Sequence, residues 1–252
     1  YLPAWVVATF GVVMSASHNL FDSVDSNNPL RTILHSPNFL WNSPGHTVFV
    51  TYVLIPWVGV TAAGYGLGQL YNWPSARRRA FLLPLGLGVI VAFILLRAIN
   101  IYGDPQPWST QRSAVFTALS FLNTTKYPPS LLYLLMTLGP ATLFLWAVDA
   151  GTPRWLRPAM TVGKVPMFYY LLHVPLIHLI ALAVCYARYG QAHWMFESPD
   201  LRDFPITPPP GWGYSLPVVY LVWVSVVLAL YPLCRWFAGV RQRRSDTWLS
   251  YF

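Results

Sequence analysis

The amino-acid sequence predicts an all-α fold, a polytopic transmembrane helix bundle of about six spans. Three observations predict it. The chain is 55% hydrophobic and only 10% charged, whereas soluble domains carry about a quarter charged residues. Too few charges remain to cover a water-facing surface. Six apolar runs approach the roughly 20 residues a helix needs to cross the hydrocarbon core. The basic residues also fall on one set of connections and not on the other, as membrane orientation requires.

In chain order the runs are about 2–21, 47–70, 80–99, 129–148, 165–186 and 215–237. The segment SAVFTALSFL, 113–122, is apolar but half the required length, which suits an interfacial or re-entrant helix. Gly64 and Gly68 in the second run have the small-xxx-small spacing that lets helices approach closely. No strand precedes these glycines, so a phosphate-cradling loop is not predicted. Cys185 and Cys234 both lie in apolar runs and read as buried thiols used as small apolar side chains.

Charge sets the predicted orientation. The connections 71–79 and 149–164, the end of the last run and the tail after it hold ten basic residues, among them Arg77, Arg78, Arg79 and Arg241, against Asp149 and Asp246. The other connections hold six basic residues against six acidic ones. The whole formal charge of +8 therefore sits on one face, which the positive-inside rule makes cytoplasmic, together with both ends of the sequence. The charge is a topology signal, and nucleic acid is not an expected partner; the lipid bilayer is. Nothing in the pattern argues against a homo-oligomer. The remaining connections, 22–46, 100–128 and 187–214, are long, as functional loops often are. The last contains PITPPPGWG, which reads as a stiff, partly extended segment.

Polar groups at the edge of such a bundle cost free energy unless paired. His18, Asn19 and Asp22 close the first run as HNLFD, and the i to i+4 spacing puts His18 and Asp22 on one helical face. A carboxylate beside an imidazole orients it as a general base; a helix end meeting solvent is the plainer alternative. Arg97 and Asn100 run into IYGDPQPW. There Asp104 reads as a turn residue, Tyr102 and Trp108 suit the interfacial aromatic belt, and Arg97 snorkels or pairs with Asp104. In LNTTKYPPS, Pro128 and Pro129 suit the first turn of the fourth helix. Lys126 before a positive helix end calls for a carboxylate such as Asp104, or for an anionic ligand group between the lysine and the helix N-terminus. His173 and His178 in FYYLLHVPLIH lack an acidic or cysteine partner at ligand spacing, so no metal centre is predicted. A hydrogen-bonded structural histidine and a proton-handling one both remain open for His173.

HNLFD, IPWVGVTAAGYGLG, LRAINIYGDPQPW, LSFLNTTKYPPSLLYLLMTLGP, FYYLLHVPLIH and YPLCRWFAGVRQRRSDTWLSYF, in this order, resemble a bacterial membrane-protein family. That family is similar to the catalytic domain of heparan-alpha-glucosaminide N-acetyltransferase. The resemblance covers nearly the whole chain. It implies a transmembrane acyltransferase fold in the bacterial inner membrane, with acetyl-CoA or another acyl-CoA as cytoplasmic donor and a sugar-like acceptor on the other side. It also implies that this sequence is the C-terminal part of the fold. In that family an N-terminal bundle comes before the region that residue 1 matches. Its first span bears an LRG…DH-like signature and a histidine associated with acyl transfer. His18, Asp22, Asn100, Asp104, Asn123, Lys126, Tyr127 and His173 occupy polar positions of the matching motifs.

The expected function is acyl transfer. His18 and Asp22 are the catalytic pair, with His18 acting as base or supporting one on the N-terminal bundle. Asn100, Asp104, Asn123, Lys126, Tyr127 and His173 are expected to bind substrate, with Lys126 and the following helix end holding an anion or an oxyanion. A transporter or lipid-handling protein would place the same polar cluster on a permeation path. A structural subunit would use it to bind a partner.

Overall fold

The computed structural model describes residues 2–23, 28–43, 46–196, 211–244, 246 and 249. The first six residues of PITPPPGWG are not among them. The protein is predominantly α-helical and divides into two compact units, Tyr1–Gly151 and Thr152–Phe252.

In the first unit α1 (Ala4–Ser17) tightens into a 3-10 turn, His18–Phe21. A short helix α2 (Pro29–Leu34) leads into an antiparallel hairpin of β1 (Asn38–Ser43) and β2 (His46–Val50), with a bulge between Phe39 and Trp41. Then follow α3 (Leu54–Gly68), α4 (Ser75–Ile99), α5 (Ala114–Leu122) and α6 (Leu131–Asp149). The second unit holds α7 (Arg157–Gly163), α8 (Pro166–Tyr189) and α9 (Leu216–Arg243).

Among the described residues five segments are long and apolar enough to cross a membrane: Ala4–Phe21, α4, α6, α8 and α9. Their outward side chains are large and apolar, with Phe10, Leu95, Phe144 and Leu221 all exposed. Water would penalise such surface and hydrocarbon does not. The protein is an integral membrane protein. The predicted run 47–70 divides instead into a strand and a helix. Its start, rich in β-branched residues, pairs with β1 as the strand His46–Val50, and the 15 residues of α3 reach about 22 Å, short of the core thickness.

Helices pair where small residues allow it. Cβ atoms built on Gly11 of α1 and on Gly59 and Gly66 of α3 would collide with the facing helix, so α1 and α3 lie antiparallel at close range. Gly64 and Gly68 meet nothing within 4 Å, which corrects the expected packing pair. Residues 59 and 66 are about two turns apart and share a face, from which 64 and 68 are rotated. In the same way Gly86 of α4 receives Leu143 of α6, and Gly139 of α6 receives Ile90 of α4. The segment 113–122 forms a short helix, its Ser113 side chain accepting the Phe116 amide.

At the α4 start, Arg77, Arg78 and Arg79 lie over the rings of Trp73, Tyr71 and Trp146, and Arg78 pairs with Asp149 at 2.6 Å. In the second unit Val165, Cys234, Phe237, Ala238 and Leu249 form the core. Cys185 and Cys234 are free and buried, as small apolar side chains would be.

Candidate functional site

The site is assembled at the end of the first unit opposite Arg77–Arg79. α4 separates the two ends by 25 residues, about 37 Å at 1.5 Å per residue. At this end α1 stops, α4 stops and α6 starts, and three polar loops fill the space between them.

The carboxylate of Asp22 anchors it. Its Oδ1 accepts from Nε2 of His35 at 2.7 Å and its Oδ2 accepts from the Asn19 amide at 2.9 Å. The expected His18–Asp22 pair is therefore replaced by a His35–Asp22 pair. The cause is local: α1 gives way to a 3-10 turn at His18, so the α-helical i to i+4 geometry does not apply. The short helix α2 then delivers His35. Asn28 caps it by accepting the Leu30 amide at 2.9 Å, and Pro29 takes the first helical position. From this helix Arg31 donates to the Asp22 carbonyl at 2.9 Å. Sequence reasoning misses His35; the capping signature Asn28–Pro29 is the signal that could find it.

His18 is fully buried, with its ring 5.6 Å from that of His35. Neither of its nitrogens makes a hydrogen bond among the described residues; the Pro129 backbone approaches it short of that geometry. Since His35 donates through Nε2, its Nδ1 carries the lone pair when the ring is neutral, and that atom is likewise buried without a partner. Two imidazoles thus lie side by side, one oriented by a carboxylate, with three ring nitrogens uncommitted among the described residues. Tyr102 closes the cluster by donating to the Ala16 carbonyl at 2.5 Å. Burial, then the charge of Asp22, raises its hydroxyl pKa above the ordinary tyrosine value.

Asp104 is a staple. Its oxygens accept from the Thr125 amide at 2.8 Å, the Thr125 hydroxyl at 3.0 Å, the Ser130 hydroxyl at 2.6 Å and the Gln106 amide at 2.8 Å. It is bonded neither to Arg97 nor to Lys126, because four closer donors on its own and the next loop have taken it. Arg97 does not snorkel: it is buried and donates to the carbonyls of Gln106, Ser120, Phe121 and Asn123. Three of these follow from the C-terminal end of α5, whose orphan carbonyls need donors. Asn100 adopts the left-handed conformation, φ 60°, and exchanges both amide groups with the Trp108 backbone at 3.0 Å. Trp108 itself donates to the Arg97 carbonyl at 2.8 Å. Asn123 contributes its carbonyl to Arg97, and its side chain is exposed.

The start of α6 differs from expectation. Ser130 is the N-cap and Leu131 the first helical residue; Pro128 and Pro129 precede the cap, after a cis peptide at Tyr127–Pro128. The serine hydroxyl can accept the Tyr133 amide at 3.0 Å, which proline cannot offer. Asn19 takes the Leu131 amide and Gly103 the Leu132 amide, both at 2.9 Å, and the Ser130 carbonyl takes that of Leu134 at 3.0 Å. The first-turn donors of α6 are thus spent inside the protein, which corrects the expected anion site between Lys126 and this helix end. Lys126 instead stands on the exposed rim 5.1 Å from the Tyr127 ring, with no carboxylate partner among the described residues. Its hydrogen bond to Tyr127 raises its pKa, so it is a cation at physiological pH. Tyr52, edge-on to Tyr127 at 5.7 Å, and then Lys126 lower the pKa of the Tyr127 hydroxyl.

His18, Asp22, Asp104, Lys126 and Tyr127 thus belong to one end of the first unit, with Asn100 and Asn123 in its supporting loops. His173 belongs to the second unit, where it stacks on Tyr169 at 5.1 Å and its Nδ1 lies 3.2 Å from the Tyr169 carbonyl. That is the arrangement of a hydrogen-bonded structural histidine. No family model, curated protein or solved structure matches this chain.

Proposed function

We propose that this chain is part of an integral membrane acyltransferase that moves an acetyl or other acyl group from acyl-CoA to a sugar-like acceptor. The observation that carries the reading is the buried pair of imidazoles, His35 held by Asp22 and His18 beside it with both nitrogens unbonded among the described residues. Unsatisfied buried polar groups cost about 1–3 kcal/mol each, so they concentrate where chemistry uses them. The motif resemblance supplies the reaction class, and the one-sided charge supplies the orientation, with Arg77–Arg79 at the cytoplasmic face and the histidines at the opposite one.

In the proposed step the acceptor hydroxyl or amine gives its proton to an imidazole as its oxygen or nitrogen bonds to the acyl carbon. The thioester reaches this end on the pantetheine arm of an acyl-CoA that enters the bundle from the cytoplasmic side; its C–S bond breaks, and the departing thiolate takes up the proton. Asp22 keeps the His35 proton on Nε2, leaves Nδ1 basic and stabilises the imidazolium. Lys126 and the rings of Tyr127 and Tyr52 offer a cation and aromatic faces for the acceptor.

Full-length protein supplied with labelled acetyl-CoA and a panel of amino sugars tests the reading. His35→Asn and His18→Asn are each expected to lower transfer about 10²–10⁴-fold. Unchanged turnover in both sinks the assignment. Proton-coupled uptake of a solute without acetyl transfer would favour a transporter.

A further inference from the structure

α8 and α9 form an antiparallel hairpin that is closed at one end and splayed at the other. At the closed end Phe168 stacks on Phe237 with ring centroids 4.2 Å apart, beside Val165 and Cys234. Toward the other end the helices part and leave a groove of about 430 Å³. Its walls are aliphatic: Ile177, Ile180, Ala181 and Val184 from α8 face Val218 and Val222 from α9. At its mouth stands Arg188, exposed, its guanidinium 5.3 Å from the Tyr189 ring centre and 5.1 Å from that of Tyr214. It donates to the carbonyls of Gly213 at 3.1 Å and Gly211 at 3.2 Å. Among the described residues three of its five N–H groups remain for another acceptor.

We propose that this groove binds one acyl chain of an anionic phospholipid from the surrounding bilayer, with Arg188 on the phosphate. Both walls are helices long and apolar enough to span a membrane, so hydrocarbon is the medium that fills a trough between them. Shape and charge select the occupant. From Ile177 to Tyr189 the groove follows α8 for about 18 Å at 1.5 Å per residue, a length that suits an extended acyl chain lying along the helix. Among the described residues its one cationic side chain stands at the mouth, as a phospholipid requires. The mouth selects the headgroup. A guanidinium held by two carbonyls between two aromatic rings presents a fixed fork to a phosphate, at the interfacial level that Tyr and Trp favour. This site lies within the second unit and is independent of the acyl-transfer reading.

The full chain in mild detergent, exposed to phosphatidylglycerol or phosphatidylcholine and read by native mass spectrometry, tests the proposal. A photoreactive acyl-chain phosphatidylglycerol maps the contact. Phosphatidylglycerol is expected to be retained about tenfold better than phosphatidylcholine, a difference of about 1.4 kcal/mol, with crosslinks confined to 177–189 and 214–222. Arg188→Gln should equalise the two lipids while the crosslinks persist; Arg188→Lys should keep part of the preference. Ala181→Trp, or Val222→Phe should the first fail to fold, fills the trough and should abolish crosslinking there. Equal retention by the wild type, crosslinks elsewhere, or undiminished crosslinking in the filled variant overturns the proposal. So would a lipid-free dimer that Ala181→Trp dissociates.

Discussion

Arg97 and His18 are both buried polar side chains, yet among the described residues only Arg97 has hydrogen-bond partners, a contrast between a scaffold residue and a candidate site residue. Arg97 gives its donors to four carbonyls, a role no other described side chain fills. Arg97→Lys keeps the charge but loses the planar fork, and Arg97→Met leaves the carbonyls bare. Each is expected to cost about 3 kcal/mol or more, read as a lowered unfolding midpoint in detergent. Tyr102 gives a pH signature. Because its folded pKa is raised, its contribution is complete below the unfolded tyrosine value near 10 and is lost as pH rises through the folded one. Stability should therefore fall above about pH 10, and Tyr102→Phe should flatten that fall. A steeper fall in the variant would show the sign to be wrong. His18 and Asp22 were legible because they share one short motif. The partner Asp22 chooses, His35, is 13 residues away, and no periodicity links them.

At the scale of elements, the first unit is held by glycine contacts whose choice depends on rotation about α3. Spacing alone singles out Gly64 and Gly68, a valid small-residue pair on the wrong face. Only the docking of α1 shows that Gly11, Gly59 and Gly66 carry the contact. Gly11→Val should force the helices apart, with overpacking costs of about 1–3 kcal/mol. Gly64→Ala meets open space and should be neutral or gain up to about 1 kcal/mol from helix propensity. Thermal unfolding of the two variants side by side checks the assignment, and equal destabilisation would refute it. Long apolar helices were legible for the same reason that α3 was not. A run of 20 apolar residues has few alternatives in a membrane, whereas the β-branched start of 47–70 could extend either a helix or a strand. The α6 start lies two residues beyond the expected one because two prolines and a serine compete for it. Ser130 wins through its hydrogen bonds to Asp104 and the Tyr133 amide.

For the whole molecule, the distribution of charge was the most legible property, because it needs only counts along the chain. The structure adds that Arg77–Arg79 and the His18–His35 cluster occupy opposite ends of the first unit, separated by α4. Orientation follows as a prediction that chemistry can read. Ala76 and Thr110 are both exposed; Ala76 stands just inside the start of α4, and Thr110 lies in the loop that follows its end and leads to α5. The native thiols Cys185 and Cys234 are buried and should give little background. A membrane-impermeant maleimide is expected to label Thr110→Cys in intact spheroplasts and Ala76→Cys only after permeabilisation. The reverse pattern would invert the orientation and move the imidazole pair to the cytoplasmic face. There an acceptor on the far side of the membrane would be out of its reach, and transfer across the bilayer would be excluded. Labelling of both cysteines in intact cells would mean that α4 does not cross the bilayer at all, since its roughly 37 Å length would then have to lie along the surface with its apolar sides in water.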